Sequence, residues 1–302
     1  MAKEFLNALE AEIAQQDMGN HPIELYEPIQ YLMSLGGKRI RPVLCLLTYS
    51  LFKDQWQKAI LPSLSLEIFH NFTLMHDDIM DKAPLRRGKQ TVHEKWNDNI
   101  AILSGDVMLV NAYQYLNKIK DLSLSEFQFA LERFNKTAAE VCEGQQMDMN
   151  FETRSQVSVA EYIEMIRLKT SILLAACLKA GALIGGASNS DADLLYEFGI
   201  NLGISFQLKD DWLDVYSDPM VFGKKTGGDI VENKKTYMLI NALQKATGKE
   251  KLELEDWIQR VDFDEDDKIA SVKRIFDSLG IGDLTQSKAE QYSVKAFDCL
   301  SQ

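Results

Sequence analysis

The sequence predicts an all-α fold, a single bundle of long helices around a central cavity. Apolar residues recur at three- and four-residue spacing through most of the 302 residues, and only six prolines interrupt them. No segment alternates apolar and polar residues as a half-buried strand would, and no short-period repeat is present. Two acidic clusters, each in a long apolar stretch, then suggest which helices line the cavity.

The helical stretches run in order over residues 5–13, 29–35, 43–52, 64–79, 100–116, 127–149, 162–184 and 194–215. Shorter ones cover 237–244, 252–258, 269–279 and 287–300. Breaks are expected where turn chemistry demands them: Gly36-Gly37, Ala83-Pro84, Gly185-Gly186 and Asp218-Pro219. The acidic run from Asp262 to Asp267 reads as solvated surface. It lacks a calcium loop's sixth-position glycine, having Asp267 there, and has Lys273 at the twelfth.

With 46% hydrophobic residues the chain can bury a large core, and a net charge of −12 argues against nucleic acid or an anionic membrane as a partner. No run reaches the ~18 uninterrupted apolar residues of a spanning helix, and residues 1–16 lack a signal peptide's basic start, so a soluble, cytoplasmic protein is expected. Cys45, Cys142, Cys177 and Cys299 have no zinc spacing and read as reduced core thiols.

The acidic clusters are Asp77-Asp78-Ile79-Met80-Asp81 and Asp210-Asp211-Trp212-Leu213-Asp214. In each, the first and last carboxylates lie four residues apart and share a helical face. Like charges so placed destabilise a bare helix by roughly 0.2–0.5 kcal/mol, and a cation between them reverses the sign. Two such clusters point to hard metal ions that bridge carboxylates to a polyanion. Basic residues supply the complement. Gly36-Gly37-Lys38-Arg39-Ile40-Arg41-Pro42 packs three cations into a turn, and Arg86-Arg87-Gly88 follows the first acidic cluster. Planar guanidinium forks and a lysine point charge suit diphosphate binding. Nucleotide-loop, zinc-protease and dinucleotide-fold patterns all fail at required positions.

From about Gly36 to Lys235 these motifs occur in one order: GGKRIRP, His70, DDIMD, RRG, Lys169-Thr170, Phe206-Gln207 before DDWLD, Asp218-Pro219, Gly223-Lys224 and Gly228-Asp229-Ile230. On these residues the chain resembles the trans-isoprenyl diphosphate synthases, the short-chain polyprenyl synthetase family. The resemblance implies the isoprenoid synthase type I fold, one polyprenyl synthetase domain over 1–302, and a homodimer with residues 100–116 as a contact. It implies coupling of an allylic diphosphate to isopentenyl diphosphate, with pyrophosphate released and three Mg2+ ions bound alongside the allylic diphosphate. Asp77, Asp81 and Asp210 would hold metal, with Asp78, Asp211 and Asp214 supporting from behind, through water or by pairing with a base. Arg86, Lys169, Lys224 and Lys234 would grip the allylic diphosphate. Lys38, Arg41, His70 and Arg87 would form a metal-free isopentenyl diphosphate pocket. Thr170 and Gln207 would offer oxygen dipoles to positive charge near the reacting carbons. Arg39 is expected at the surface or in a subunit contact.

Phe72 lies five residues before Asp77, about 7.5 Å deeper along the helix, where it would stop a growing apolar chain. Members of the resembled family that make the fifteen-carbon product often carry a second aromatic four before the first acid or two extra residues in the first acidic motif. With Thr73 there and DDIMD uninterrupted, the resemblance implies the twenty-carbon product, geranylgeranyl diphosphate, over farnesyl diphosphate. A class I terpene cyclase needs no second diphosphate pocket, and a non-catalytic synthase subunit tends to lose one acidic motif. Both are disfavoured.

Overall fold

The computed structural model describes residues 1–119, 123–217 and 226–302, and these form two compact units. The first comprises Met1–Thr137 and Leu173–Tyr196, the second Ala138–Ile172 and Glu197–Gln302.

In the first unit run α1 (Ala2–Gln15), α2 (Ile23–Ser34), α3 (Ile40–Ser50), α4 (Ile60–Met80), α5 (Val92–Lys95) and α6 (Asp98–Asn117). Twelve of the 21 α4 residues are buried, the polar Ser63, Ser65, Glu67, Asn71 and Asp78 among them, which makes it a central rather than a surface helix. α6 lies close against it because Gly105 leaves room for the His76 ring. Phe5 and Leu9 of α1 pack on Leu46 and Tyr49 of α3. A short antiparallel hairpin pairs Leu85–Arg86 with Lys89–Gln90. It departs from the expectation of no strand, and its two-residue strands are too short to show an alternating pattern.

α7 (Leu124–Thr153), α9 (Ile172–Gly185) and α10 (Asn189–Tyr216) each have residues in both units. The second unit also holds α8 (Val159–Ile166), α11 (Gly228–Val231), α12 (Tyr237–Lys245), α13 (Gly248–Gln259), α14 (Glu265–Ser278) and α15 (Ile281–Cys299). A capping box between Ser158 and Glu161 starts α8. A core of the second unit joins Val215, Met238, Leu254, Trp257, Val272, Ile275 and Phe276. Asp264 caps α14 by accepting from the Asp267 amide at 3.0 Å, so the acidic run at 262–267 is exposed and complements a helix N-terminus.

One expectation needs amendment. Cys45 and Cys177 are buried, but Cys142 is exposed and Cys299 half-buried, so only two of the four free thiols belong to a core. Averaged over a window, Val159–Gly185 reaches a mean hydropathy of 1.5, enough for a spanning helix; 61% of that window is buried, as a core helix would be. The expected break at Asp218-Pro219 lies outside the described residues.

Candidate active site

The first acidic cluster ends α4, and its three carboxylates have different surroundings. Asp78 turns inward and is 2% exposed. Arg86 donates to it through a two-pronged fork, Nε to Oδ2 at 2.7 Å and Nη2 to Oδ1 at 2.6 Å. Burial raises the Asp78 carboxyl above the ordinary carboxylate range, against the pull of Arg86. Asp77 is half-buried, with its Oδ2 3.9 Å from Arg86 Nη2, and Asp81 is exposed at the end of the helix.

The first unit also holds the four residues expected around isopentenyl diphosphate, and Arg41 and Arg87 both act on His70. Gly36 and Gly37 have φ of +71° and +143°, a path open mainly to glycine. A side chain at Gly37 would put its β-carbon 2.8 Å from the Arg87 guanidinium, so this glycine lets Arg87 lie over the turn. Arg87 Nη1 donates to the Gly36 carbonyl. Arg41 Nη1 donates to His70 Nε2 at 3.0 Å. Its Nε–H is buried with no acceptor among the described residues. Burial, then the charges of Arg41, Arg86, Arg87 and Arg39, hold the His70 imidazole well below its ordinary pKa. His70 is therefore neutral and accepts at Nε2, which places its proton on Nδ1. Lys38 is exposed. Arg39 is not at the surface as expected: it is 3% exposed and paired with Glu10 and Glu67.

The second unit builds its site around a distorted helix. α8 runs into a π-helical turn, Arg167–Ser171, before α9 begins. Such turns widen the backbone spiral and re-aim side chains, here Lys169 and Thr170. Glycines allow close approach on two sides. Gly144 of α7 lies against the backbone of Leu168 and Lys169, and Gly203 of α10 against Ser171. One helical turn beyond each glycine stands a polar partner. Asp148 binds Lys169 Nζ at 2.7 Å, and Gln207 Oε1 accepts from Thr170 Oγ1 at 3.2 Å. Gln207 Nε2 in turn donates to Asp211 Oδ1 at 3.0 Å, and Tyr162 donates its hydroxyl to Asp211 Oδ2. Burial pushes the Asp211 carboxyl up to about 6.

Asp210 is exposed, whereas Asp214 accepts the backbone N–H of Asp229 at 3.1 Å and thereby shapes the turn into α11. Asp229 is pushed up to about 8, first by burial and then, against the pull of Lys234, by Asp211 and Asp214. Lys234 lies within electrostatic range of all three acids. Lys224 lies outside the described residues.

Among the described residues, no three His, Cys, Asp or Glu side chains converge as a preformed metal cage. Magnesium, which keeps several waters and takes one or two carboxylates plus substrate phosphates, needs no such cage. The carboxylates expected to hold it offer only oxygen, and Asp81 in the first unit and Asp210 in the second are exposed.

A model of the polyprenyl synthetase family matches residues 22–276. The chain belongs to that family. It is 43% identical over 224 residues to a geranylgeranyl diphosphate synthase of Methanosarcina mazei, covering 74% of this chain and 69% of that one. To the geranylgeranyl diphosphate synthase of Sulfolobus acidocaldarius it is 36% identical over 305 residues, with 99% and 90% covered. A crystal structure of a geranylgeranyl pyrophosphate synthase superposes with a TM-score of 0.93 at 42% identity, covering 100% of this chain and 92% of the other. A polyprenyl synthase from Caulobacter crescentus CB15, solved in complex with calcium and isoprenyl diphosphate, gives 0.84 at 29% identity, with 99% and 88% covered.

Within this polyprenyl synthetase, several site neighbours escaped the sequence reading. Asp148 and Tyr162 are partners of Lys169 and Asp211, and Glu67 with Asn71 lies behind the GGKRIRP turn. A signal for the first was present: Gly144 and Asp148 share the four-residue spacing of Gly203 and Gln207. Phe72, 9% exposed, meets Phe69 and His76 with ring centroids 5.7 and 4.8 Å apart. Thr73 Oγ1 donates to the His70 carbonyl at 2.8 Å. An open groove of 540 Å³ lined by Leu208, Trp212, Asp283 and Ser287 contains none of the predicted site residues.

Proposed function

We propose that this polyprenyl synthetase condenses an allylic diphosphate with isopentenyl diphosphate, head to tail and in trans. The proposed product is geranylgeranyl diphosphate, with farnesyl diphosphate the alternative. The observation that carries the reading is uneven charge compensation. Arg86 and Lys169, assigned to the allylic diphosphate, are each held by a carboxylate. Arg41 and Arg87 have none in contact among the described residues: Arg41 leans on a neutral histidine and Arg87 on a carbonyl. A half-buried guanidinium whose Nε–H is buried and unmet favours an anionic ligand strongly. Lys38, Arg41, His70 and Arg87 can therefore take a diphosphate without metal, and that diphosphate is not activated to leave.

On the allylic side, Asp77, Asp81 and Asp210 are the carboxylates we assign to Mg2+, and the donor set suits it. When bound, the metal supplies Lewis-acid stabilisation to the departing pyrophosphate. Arg86, Lys169, Lys234 and, outside the described residues, Lys224 orient the diphosphate oxygens. Asp211 fixes the Gln207 amide, so that the Gln207 oxygen and the Thr170 hydroxyl stand together as dipoles for the positive charge left when the allylic C–O bond breaks. A C–C bond to the isopentenyl unit forms, and its surplus proton goes to the released pyrophosphate.

The two units act as one polyprenyl synthetase domain over 1–302 in this reading. The exposed Ile102, Leu103 and Val110 of α6 support a homodimer, and the four unbridged cysteines support a cytoplasmic setting. Incubating the chain with farnesyl and isopentenyl diphosphates and sizing the product tests the assignment. An unextended farnesyl substrate refutes the twenty-carbon product. Undiminished turnover of Asp81→Ala and Asp210→Ala in chelator refutes the metal ligands.

A further inference from the structure

Between Lys38 and Arg41 stands a third cation whose side chain is committed elsewhere. Arg39 Nε donates to Glu10 Oε1 at 2.9 Å, Nη1 to Glu67 Oε1 at 2.8 Å and Nη2 to the Met33 carbonyl at 2.7 Å. Glu67 is 2% exposed and is itself steadied by Asn71 Nδ2 at 3.0 Å. Glu10 belongs to α1, which precedes the matched family segment. The Arg39 backbone holds φ +44° immediately before α3, a conformation that residues with a β-carbon disfavour.

Stability alone is a poor reason for this arrangement. A buried ion pair adds little over a well-packed apolar substitute, because desolvation offsets the attraction. A left-handed backbone at a non-glycine residue persists only where its surroundings over-determine it. Here they do, through three acceptors on α1, α2 and α4. The turn also needs an external anchor, because Gly36 and Gly37 give its first half no side chains to hold it. Lys38 is one residue before the anchored position and Arg41 two after, so any shift at Arg39 moves both.

We propose that Arg39 is a positioning residue: its pairs with Glu10 and Glu67 fasten the GGKRIRP turn to α1 and α4 and set where Lys38 and Arg41 meet isopentenyl diphosphate. This rests on the synthase reading above. It assigns the N-terminal helix a part in substrate affinity, through Glu10.

The test is steady-state kinetics on Arg39→Lys and Glu10→Gln in the full chain, with each diphosphate varied separately and thermal unfolding measured alongside. Lysine keeps the charge but cannot reach three acceptors in a fork. The KM for isopentenyl diphosphate should rise about tenfold in Arg39→Lys and about threefold in Glu10→Gln, with kcat and the allylic KM within about twofold. The Glu10 side chain is 41% exposed, so its variant folds and decides the matter alone if Arg39→Lys does not. An unchanged isopentenyl KM in the folded variants, or equal rises in both KM values, overturns the proposal. A wild-type chain that consumes no isopentenyl diphosphate overturns the synthase reading itself, and this inference with it.

Discussion

Adding one methyl group at Gly203 should damage turnover more than it damages the fold. A β-carbon there would lie 2.6 Å from Ser171 Cα and Oγ and 2.7 Å from its Cβ, where ordinary contact begins at 3.4 Å. The first of these atoms is backbone, so α10 and the π-helical turn must part by about 0.8 Å. Overpacking of this kind costs about 1–3 kcal/mol, while the gain in helix propensity from glycine to alanine returns about 0.8–1 kcal/mol. The net loss of stability is therefore small, about 0–2 kcal/mol. The same displacement stretches the bond from Thr170 to Gln207, now 3.2 Å, to about 4 Å, beyond hydrogen-bonding reach. Misplacing a catalytic group by about 1 Å can cost about 100-fold in rate, equivalent to about 2.7 kcal/mol of barrier. Gly203→Ala should thus lower kcat by one to two orders of magnitude, on the order of 10–100-fold, while thermal unfolding stays cooperative. A folded variant with kcat within about threefold of wild type would refute the claim that this close approach sets the geometry.

Three further outcomes follow from the same geometry. The depressed His70 pKa means that the unfolded chain takes up a proton near pH 6.5 that the folded chain refuses, so stability is full above about pH 6.5 and falls below it, by up to about 1.4 kcal/mol per pH unit. Urea unfolding at about pH 7.5 and 5.5 should show a smaller loss in His70→Gln, and equal losses would count against a neutral buried imidazole. Phe72→Ala should shift products beyond twenty carbons and cost about 3–5 kcal/mol of stability; an unchanged product length in chromatography would remove Phe72 as the stop. Asp148→Asn removes the carboxylate charge 2.7 Å from Lys169 Nζ, so metal-free pyrophosphate should bind about tenfold tighter by calorimetry, equivalent to about 1.4 kcal/mol, and unchanged or weaker binding would contradict the pairing argument.

Helices buried on one side were legible in the sequence because such burial imposes a 3.6-residue rhythm, and α3, α12 and α14 follow it closely. The π-helical turn at Arg167–Ser171 was not, since one widened turn changes the period over too few residues to register. Residue type and spacing singled out both acidic clusters and the basic turns, but not the direction of each side chain. Arg39 shows why: a left-handed φ between two cations turns its guanidinium into the protein, and nothing in Lys-Arg-Ile-Arg announces that φ. Asp148 and Tyr162 were missed for a different reason. Their partners come near only where glycines let helices touch, which is a property of tertiary packing.

The division of cations offers a physical account of why one diphosphate would ionise and the other would not. Where Arg86 and Lys169 already have carboxylate partners, their charge is largely neutralised before any ligand arrives. In the proposed reading a diphosphate alone then gains little by approaching, and divalent cations held by the carboxylates assigned to them would have to accompany it. Affinity and activation are thereby coupled, because the ions that permit binding also stabilise the departing charge. Around Arg41 the arrangement is reversed. Its nearest polar partner is a neutral imidazole, Glu67 acts on it only at longer range and is already engaged by Arg39, and Arg87 adds a second cation. A diphosphate is attracted there without metal and its ester bond gains no Lewis acid. On the proposed assignment, selective ionisation needs no recognition of the two hydrocarbon chains; it would follow from which cations carry a carboxylate partner.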